Sequence, residues 1–272
     1  ARESERQHLQ VHDVTALGTD SFSDQVIAAW QKGQVQTQLI QRLENKMPRL
    51  YFIEADQHGG RTFGYWRNDA AARFWLDSPE SDAICAQLAQ YDYLYLSGIS
   101  LAILPTASRE KLMALLSACR QNGGKVIFDN NYRPRLWADK ASAQQAYAEM
   151  LRHTDMAFLT LDDEHLLWGE QPLEAVIART REAGVQEIAI KRGADSCLVA
   201  IGDEPLREVA AIKLSKEKVI DTTAAGDSFS AGYLAVRLAG GSAEDAAARG
   251  HLTASTVIQY RGAIIPREAM PA

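Results

Sequence analysis

Short apolar runs alternate along most of the chain with longer stretches in which apolar residues recur at helical spacing. Residues 92–96, 125–128, 156–159 and 187–190 are four runs of the short kind, and amphipathic segments such as residues 105–121 separate them. This alternation is typical of βα units, in which parallel strands form one sheet and helices cover its faces. The pattern therefore predicts an α/β fold around a mostly parallel sheet.

Both ends of the chain and one segment near residue 60 add further elements. Residues 11–17 predict another strand, and residues 226–260 predict a pair of alanine-rich helices. Residues 49–55 and 61–67 predict two strands, and the glycine-containing residues 57–60 between them indicate a hairpin rather than a βα unit. We expect this hairpin to project from the main body.

Composition places the chain among ordinary globular proteins. It has 272 residues, 46% of them hydrophobic and 24% charged, which is enough for one domain with a proper core. The net charge of −6 argues against a nucleic-acid partner, and no apolar stretch is long enough to cross a membrane. The three cysteines form no CxxC pair, which favours a cytoplasmic protein over a disulfide framework or a zinc site.

Polar or glycine-containing clusters follow four of the predicted strands directly. Any one cluster is explained by ordinary loop polarity. In an open parallel sheet, however, the carboxyl ends of the strands border one crevice, where ligands bind. The register of the four clusters therefore predicts an active site formed by Ser97-Gly98, Asp129-Asn130-Asn131, Thr160 and Lys191-Arg192-Gly193.

The segment that precedes the last two helices carries the most chemistry. It is a run of small residues, Asp-Thr-Thr-Ala-Ala-Gly-Asp, that ends at Asp227. Small residues at a helix start leave its backbone N–H groups uncovered, and such groups bind phosphate. Asp227 lies in the first helical turn and could take a proton from an attacking hydroxyl. A simple helix cap is the alternative, but the run is longer than a cap requires.

Other phosphoryl-transfer and hydrolase motifs do not fit. The chain contains no G-x-x-x-x-G-K-[ST] sequence, which excludes a P-loop kinase. Residues 226–230 lack the closing glycine of a nucleophile elbow. Residues 129–131 lack the second acid and the threonine of an aspartyl-phosphate phosphatase.

The run from Ala224 to Asp227 resembles the second signature of the PfkB, or ribokinase-like, family of sugar kinases. The resemblance implies a three-layer α/β sandwich with a small β-lid, formed here by residues 49–67. It implies an anion hole made by the N–H groups of Ala225, Gly226 and Asp227, with Asp227 as the catalytic base. Ala224 stands where the family usually has glycine, and its place in the hole requires a negative φ.

Within that family the chain is similar to the bacterial kinases of 2-keto-3-deoxygluconate, on residues 65–67, 129–137 and 191–193. This resemblance implies ATP-dependent phosphorylation of that sugar acid to its 6-phosphate, with Tyr65, Arg67 and Arg133 holding the acid. Arginine suits a carboxylate because its planar guanidinium binds both oxygens. For Arg67, a solvated hairpin arginine is the alternative.

The same resemblance assigns the nucleotide and the metal. It implies nucleotide contacts from the N–H groups at Ala224 to Gly226 and from Asn131, Arg133, Lys191, Arg192 and Gly193. For Lys191, an ordinary surface lysine is the alternative. Glu164 stands where the family orders Mg²⁺ through water, although the asparagine three residues earlier is absent, and a monovalent cation is left open.

Family members begin with a strand, lid strands and a glycine-rich sugar contact that this chain lacks. We therefore expect residues 1–272 to form a single kinase domain that lacks roughly forty N-terminal residues. We also expect weak activity of this form and a homo-oligomer, if any, through the lid sheet. Another ribokinase-like kinase, such as a fructokinase, and a non-catalytic nucleotide-binding module remain the alternatives.

Overall fold

The computed structural model of the protein describes residues 9–55, 61–66 and 69–271, and for residues 50–55 and 61–66 it describes the backbone alone. The strands are β1 (Thr15–Gly18), β2 (Ile40–Leu43), β3 (Leu50–Ala55), β4 (Arg61–Trp66), β5 (Tyr93–Ser97), β6 (Lys125–Asp129), β7 (Met156–Thr160), β8 (Glu187–Lys191), β9 (Cys197–Ile201) and β10 (Arg207–Val209). The helices are α1 (Ser21–Lys32), α2 (Ser81–Leu88), α3 (Gly98–Ile103), α4 (Thr106–Gln121), α5 (Lys140–Arg152), α6 (Leu161–Trp168), α7 (Leu173–Glu182), α8 (Ala225–Arg237) and α9 (Ala243–Val257).

A six-stranded sheet lies at the centre of the fold, in the order β10–β9–β8–β7–β6–β5. Strands β5 to β8 are parallel, whereas β9 and β10 turn back and pair antiparallel. The four predicted strands are the four parallel ones, which confirms a mostly parallel sheet. The sequence did not predict β2, β9 or β10.

Helices cover both faces of this sheet because side chains of a strand alternate between its faces. Val126 and Phe128 pack into a core with residues of α4, α5 and α7. Ile127, which lies between them in β6, packs into a second core with Phe229 and Tyr233 of α8. Helices, sheet and helices make the three predicted layers.

Helices α8 and α9 pack closely because two glycines let their backbones approach. A Cβ at Gly232 would lie 2.8 Å from the carbonyl oxygen of Arg249. A Cβ at Gly250 would lie 2.9 Å from the ring of Phe229. The predicted alanine-rich helix pair is confirmed, and these contacts set the position of α8 over the sheet.

Two small sheets accompany the central one. Strands β3 and β4 pair antiparallel from Leu50 opposite Trp66 to Ala55 opposite Arg61, which confirms the predicted hairpin. The strand predicted at residues 11–17 is found as β1, but within the described residues it pairs with β2 and not with the central sheet. None of the helices in the described part of the chain combines the length and the apolar character that a membrane crossing requires.

Candidate active site

The carboxyl ends of β6, β7 and β8 meet the N-terminus of α8 around a cavity of about 380 Å³. Three of the four predicted strand-end clusters contribute residues to it, and Ser97-Gly98 is not among them. The lining side chains are Asp129, Asn131 and Arg133 after β6, Thr160, Asp162 and Asp163 after β7, Lys191, Arg192 and Gly193 after β8, Thr222 and 224–227 before and in α8, and Phe229, His251 and Ala254.

Ala224, the residue before α8, adopts an unusual backbone conformation. Its φ is 60° and its ψ is 18°, in the left-handed region that favours glycine. The negative φ on which the place of Ala224 in the anion hole depended is therefore not found. The conformation is held by Asp221, whose carboxylate accepts hydrogen bonds from the N–H groups of Thr223 and Gly262, both at 2.9 Å. The loop therefore holds an alanine in a conformation that glycine adopts more readily.

The first turn of α8 presents free backbone donors to the cavity. The Ala225 N–H donates to the carbonyl oxygen of Thr222 at 3.2 Å and is therefore committed within the loop. In the described part of the chain, the N–H groups of Gly226 and Asp227 have no protein acceptor. These two groups, together with the helix dipole, can bind an anion.

Asp227 remains accessible at the cavity wall. Desolvation and the negative charge of Asp129 raise the pKa of Asp227 above its usual value, and the charges of Lys191 and Arg133 partly offset this. A carboxylate with a raised pKa is a stronger base, so it accepts a proton from a hydroxyl more readily.

Lys191 is buried and directed toward the same helix start. Its residue is 9% exposed, and its Nζ donates to Asp129 Oδ2 at 2.7 Å. A Cβ added to Gly226 would lie 3.4 Å from Nζ, so the ammonium borders the first turn of α8. The alternative of an ordinary surface lysine was therefore wrong.

Asn131 faces the cavity with an unsatisfied polar atom. Its φ is 31°, and within the described residues its buried Oδ1 has no hydrogen-bond partner. Asn130 fixes this conformation, because its Oδ1 accepts from the N–H groups of Asn131 at 2.7 Å and Thr160 at 3.0 Å. The predicted nucleotide contact of Asn131 stays a prediction, and its open acceptor is suited to it.

Arg133 is half-exposed at the rim of the cavity. Its Nη1 donates to the carbonyl oxygen of Tyr132 at 2.7 Å and lies 3.4 Å from both carboxylate oxygens of Asp163. The ion pair is long, so a ligand carboxylate could compete for the guanidinium. Pro134 follows and restricts Arg133 to an extended backbone, with φ −129° and ψ 95°.

Arg192 contributes less to the cavity than Lys191 does. Its guanidinium donates to Ser196 and, at 2.6 Å, to Glu208, so it is bound to the loop and strand beyond β8. Gly193 has a φ of 62°, which a glycine adopts without strain and which turns the chain after β8. Both remain predicted nucleotide residues through their place on the cavity wall.

Glu164 does not line the cavity. It is buried, with Oε1 accepting from Asn130 at 2.9 Å and Oε2 paired with Arg179. Asp162 and Asp163, its neighbours in α6, do line it. Among the residues that the structure describes, no cluster of three or more histidine, cysteine or acidic side chains could hold a metal ion.

The remaining predicted residues, Tyr65 and Arg67, belong to the predicted lid. Arg67 lies outside the described residues, and the same is true of the side chain of Tyr65. His251 and Ala254 of α9 reach the cavity. His251 Nε2 is within 3.2 Å of the Cys197 N–H and 3.1 Å of the Val209 carbonyl oxygen, as expected for a structural histidine. The sequence placed Asp129 in a strand-end cluster of the predicted site but gave it no role of its own, and the structure confirms its place at the cavity.

Comparison with known proteins gives this geometry a context. Residues 1–270 match the family described as "pfkB family carbohydrate kinase". The chain is 71% identical over 272 residues to the 2-dehydro-3-deoxygluconokinase of Escherichia coli K12, covering 100% of this chain and 88% of that protein. It is 72% identical over 264 residues to that of Dickeya dadantii, covering 97% and 85%. A fructokinase structure with bound ATP from Xylella fastidiosa shares the fold, with a TM-score of 0.79 at 22% identity, covering 100% and 85%.

Proposed function

The chain belongs to the pfkB family and is a carbohydrate kinase, and on this premise we propose how it acts and on what. The proposed substrate is 2-dehydro-3-deoxygluconate, also called 2-keto-3-deoxygluconate, on which its 71–72% identical relatives are named to act. The phosphoryl donor is ATP and the product is the 6-phosphate. This substrate is the one predicted from the sequence motifs.

One observation carries the mechanism: a free anion site, a base and a buried cation border the same cavity. The N–H groups of Gly226 and Asp227 would stabilise the negative charge of the transferring phosphoryl group. The Asp227 carboxylate would take the hydroxyl proton as the sugar oxygen bonds to phosphorus and the bond to ADP breaks. Lys191, beside Gly226, would add positive charge to the phosphate oxygens.

Arg133 is the proposed anchor for the acid group of the sugar. Its guanidinium is exposed at the rim and only loosely paired with Asp163. A substrate carboxylate could accept two N–H groups of the guanidinium at once, which a neutral sugar cannot do. Tyr65 and Arg67 remain proposed partners of the same group.

The acids on the cavity wall fit a magnesium ion that is held mainly by the nucleotide. Mg²⁺ keeps several waters and usually binds to one or two carboxylates together with phosphates, a role open to Asp162 and Asp163. When bound, it would neutralise charge on the phosphate oxygens. Glu164, tied to Asn130 and Arg179, could reach such an ion only through intervening groups.

The proposal also includes a monovalent cation that supports the reaction and an oligomer that forms through the lid. Dependence on a monovalent cation would appear as a change in rate when potassium is replaced by a large organic cation at constant ionic strength. Assembly through the β3–β4 hairpin would appear as a concentration-dependent mass in analytical ultracentrifugation that charged substitutions in this hairpin remove.

A substrate panel tests the proposed function. ADP release is measured in a coupled assay with 2-dehydro-3-deoxygluconate, gluconate, fructose and ribose. We expect the keto acid to have the highest kcat/KM, and Arg133→Ala to raise its KM by roughly 10- to 100-fold. The same substitution should leave the KM for fructose almost unchanged. Preference for fructose, or equal effects on both sugars, would contradict the specificity proposed here.

A further inference from the structure

Asp129, the last residue of β6, joins three elements of the site through one oxygen atom. Its carboxylate is 2% exposed, and Oδ2 accepts from Lys191 Nζ at 2.7 Å and from Ser230 Oγ at 3.0 Å. The Tyr95 hydroxyl lies 3.5 Å from the same atom. A carboxylate buried to this degree requires a cation and hydrogen bonds, so the cluster is built as a unit.

The register of the parallel strands explains why the lysine turns inward. Asp129 lies opposite Phe158 of β7, and Lys191 lies opposite Thr160, two residues closer to the carboxyl end. The Lys191 ammonium therefore reaches back across the Phe158 ring, at 5.8 Å from its centre, to meet Asp129. Among the described contacts, the hydrogen bond to this carboxylate is the short one that draws Lys191 toward the sheet.

The same carboxylate fixes the helix that carries the anion site. Ser230 lies one turn after Gly226 and Asp227, and its hydroxyl is bound to Asp129. The ammonium of Lys191 in turn borders Gly226. Asp129 thus sets the distance between the free N–H groups of α8 and the buried ammonium of Lys191.

We infer that Asp129 is a positioning residue for phosphoryl transfer, which holds Lys191 at the phosphate side of the α8 terminus and away from Asp227. The inference rests on the proposed kinase reaction and adds to it a residue that touches neither substrate. If Asp129 were neutral, Lys191 could pair instead with Asp227, on which its charge already acts. The resulting ion pair would occupy the base and remove the cation from the phosphate.

The charges around Asp227 give this role a signature that a purely structural role lacks. Asp129 and Lys191 have opposite effects on the pKa of Asp227, and Arg133 acts in the same direction as Lys191. Tyr95, from β5, also titrates in this cluster, and desolvation together with the nearby carboxylates raises its pKa and keeps it protonated. The two charged partners can therefore be told apart by pH.

The first experiment compares Asp129→Asn and Lys191→Met in kcat and in the acidic limb of the kcat/KM profile. Both should lower kcat by about tenfold or more. Asp129→Asn removes a negative charge near Asp227 and so lowers its pKa, which moves the acidic limb to lower pH. Lys191→Met removes a positive charge and moves the limb to higher pH. Shifts in the same direction would overturn the inference.

The second experiment does not depend on the sugar. Calorimetry measures ATP and ADP binding, each with Mg²⁺ and without sugar. We expect Asp129→Asn to weaken ATP binding by roughly tenfold and ADP binding much less, because Lys191 meets the terminal phosphate. An unchanged ratio of the two affinities would overturn the inference. If the wild-type protein binds ATP yet transfers nothing to the keto acid, the proposed function fails while this comparison still decides the role of Asp129.

Control variants separate positioning from folding. Glu187→Gln neutralises another buried carboxylate on the same sheet and should keep the ATP to ADP affinity ratio of the wild type. If Asp129→Asn does not fold, the double variant Asp129→Asn/Lys191→Met is used in its place, because it leaves neither member of the ion pair unpaired. The double variant should fold and lose the preference for ATP. A folded double variant with wild-type kcat and ATP preference would refute the inference.

Discussion

Two buried carboxylates on the same face of the sheet bind the same helix, and only one of them borders a candidate active site. Glu187, the first residue of β8, accepts from the Tyr233 hydroxyl at 2.6 Å and from Arg237 Nε at 3.0 Å, in the C-terminal half of α8. Asp129 lies at the carboxyl end of β6. It accepts from Ser230, in the N-terminal half of α8, and from Lys191.

The two carboxylates differ in whether the polar groups around them all have protein partners. Near Glu187, Arg237 also donates to the Gly241 carbonyl oxygen, so the Glu187 carboxylate and this backbone oxygen both have a partner. Near Asp129, the N–H groups of Gly226 and Asp227 face a cavity without a protein acceptor in the described residues. A buried ion pair therefore does not identify a site by itself. Free donors at a positive helix end beside the pair do.

The largest expected effect is at the cavity end of α8. Asp227→Asn should lower kcat by about 10³-fold, equivalent to about 4 kcal/mol, because the base is lost while the helix N–H groups remain. The Kd for ATP should change by less than about threefold, since a neutral side chain removes repulsion without removing a donor. Steady-state kinetics and calorimetry measure the two quantities.

The control for this variant is Asp203→Asn, at an exposed acid in the turn after β9. It should leave kcat and ATP affinity unchanged. Turnover of Asp227→Asn at the wild-type level would rule out Asp227 as the base.

The opposite end of α8 should respond in stability and not in catalysis. Glu187→Gln should lower the free energy of unfolding by about 1–3 kcal/mol, because Arg237 loses its partner and Tyr233 its charged acceptor. The kcat should remain within about twofold of the wild type, since no group of the cavity contacts Glu187. Urea unfolding and the coupled assay measure these quantities.

If Glu187→Gln lowers kcat as much as Asp129→Asn does, the two ends of α8 do not differ in their role in catalysis. Tyr233→Phe serves as the milder partner variant, because it deletes one hydroxyl and keeps the ring in the core.

The smallest expected effect is at the strained residue before α8. Ala224→Gly should raise the free energy of unfolding by up to about 1 kcal/mol, because glycine adopts a φ of 60° without the steric cost that alanine bears. Ala235→Gly, in the middle of α8, should lower it by about 1 kcal/mol. Equal destabilisation by both substitutions would show that the left-handed turn imposes no strain.

Most of the architecture was predictable because it follows from local patterns. The alternation of apolar runs identified β5 to β8, and the short glycine-containing link identified the β3–β4 hairpin. Strands β9 and β10 were missed because they return antiparallel through short turns, which a strand–helix alternation does not anticipate. The prediction for Glu164 followed its motif position and not its neighbours, Asn130 and Arg179, which occupy its oxygens.

The sequence by itself determined the chemistry of the α8 start, because a run of small residues before an acid specifies uncovered N–H groups and a base within one turn. Only the tertiary structure decided what surrounds that turn. Asp129 is 62 residues from Lys191 and 101 residues from Ser230, and no local pattern encodes a contact over such separations. The left-handed φ of Ala224 likewise depends on Asp221 bonding to Gly262, 41 residues away. Strand register and helix packing bring these groups together, and both are properties of the whole folded chain.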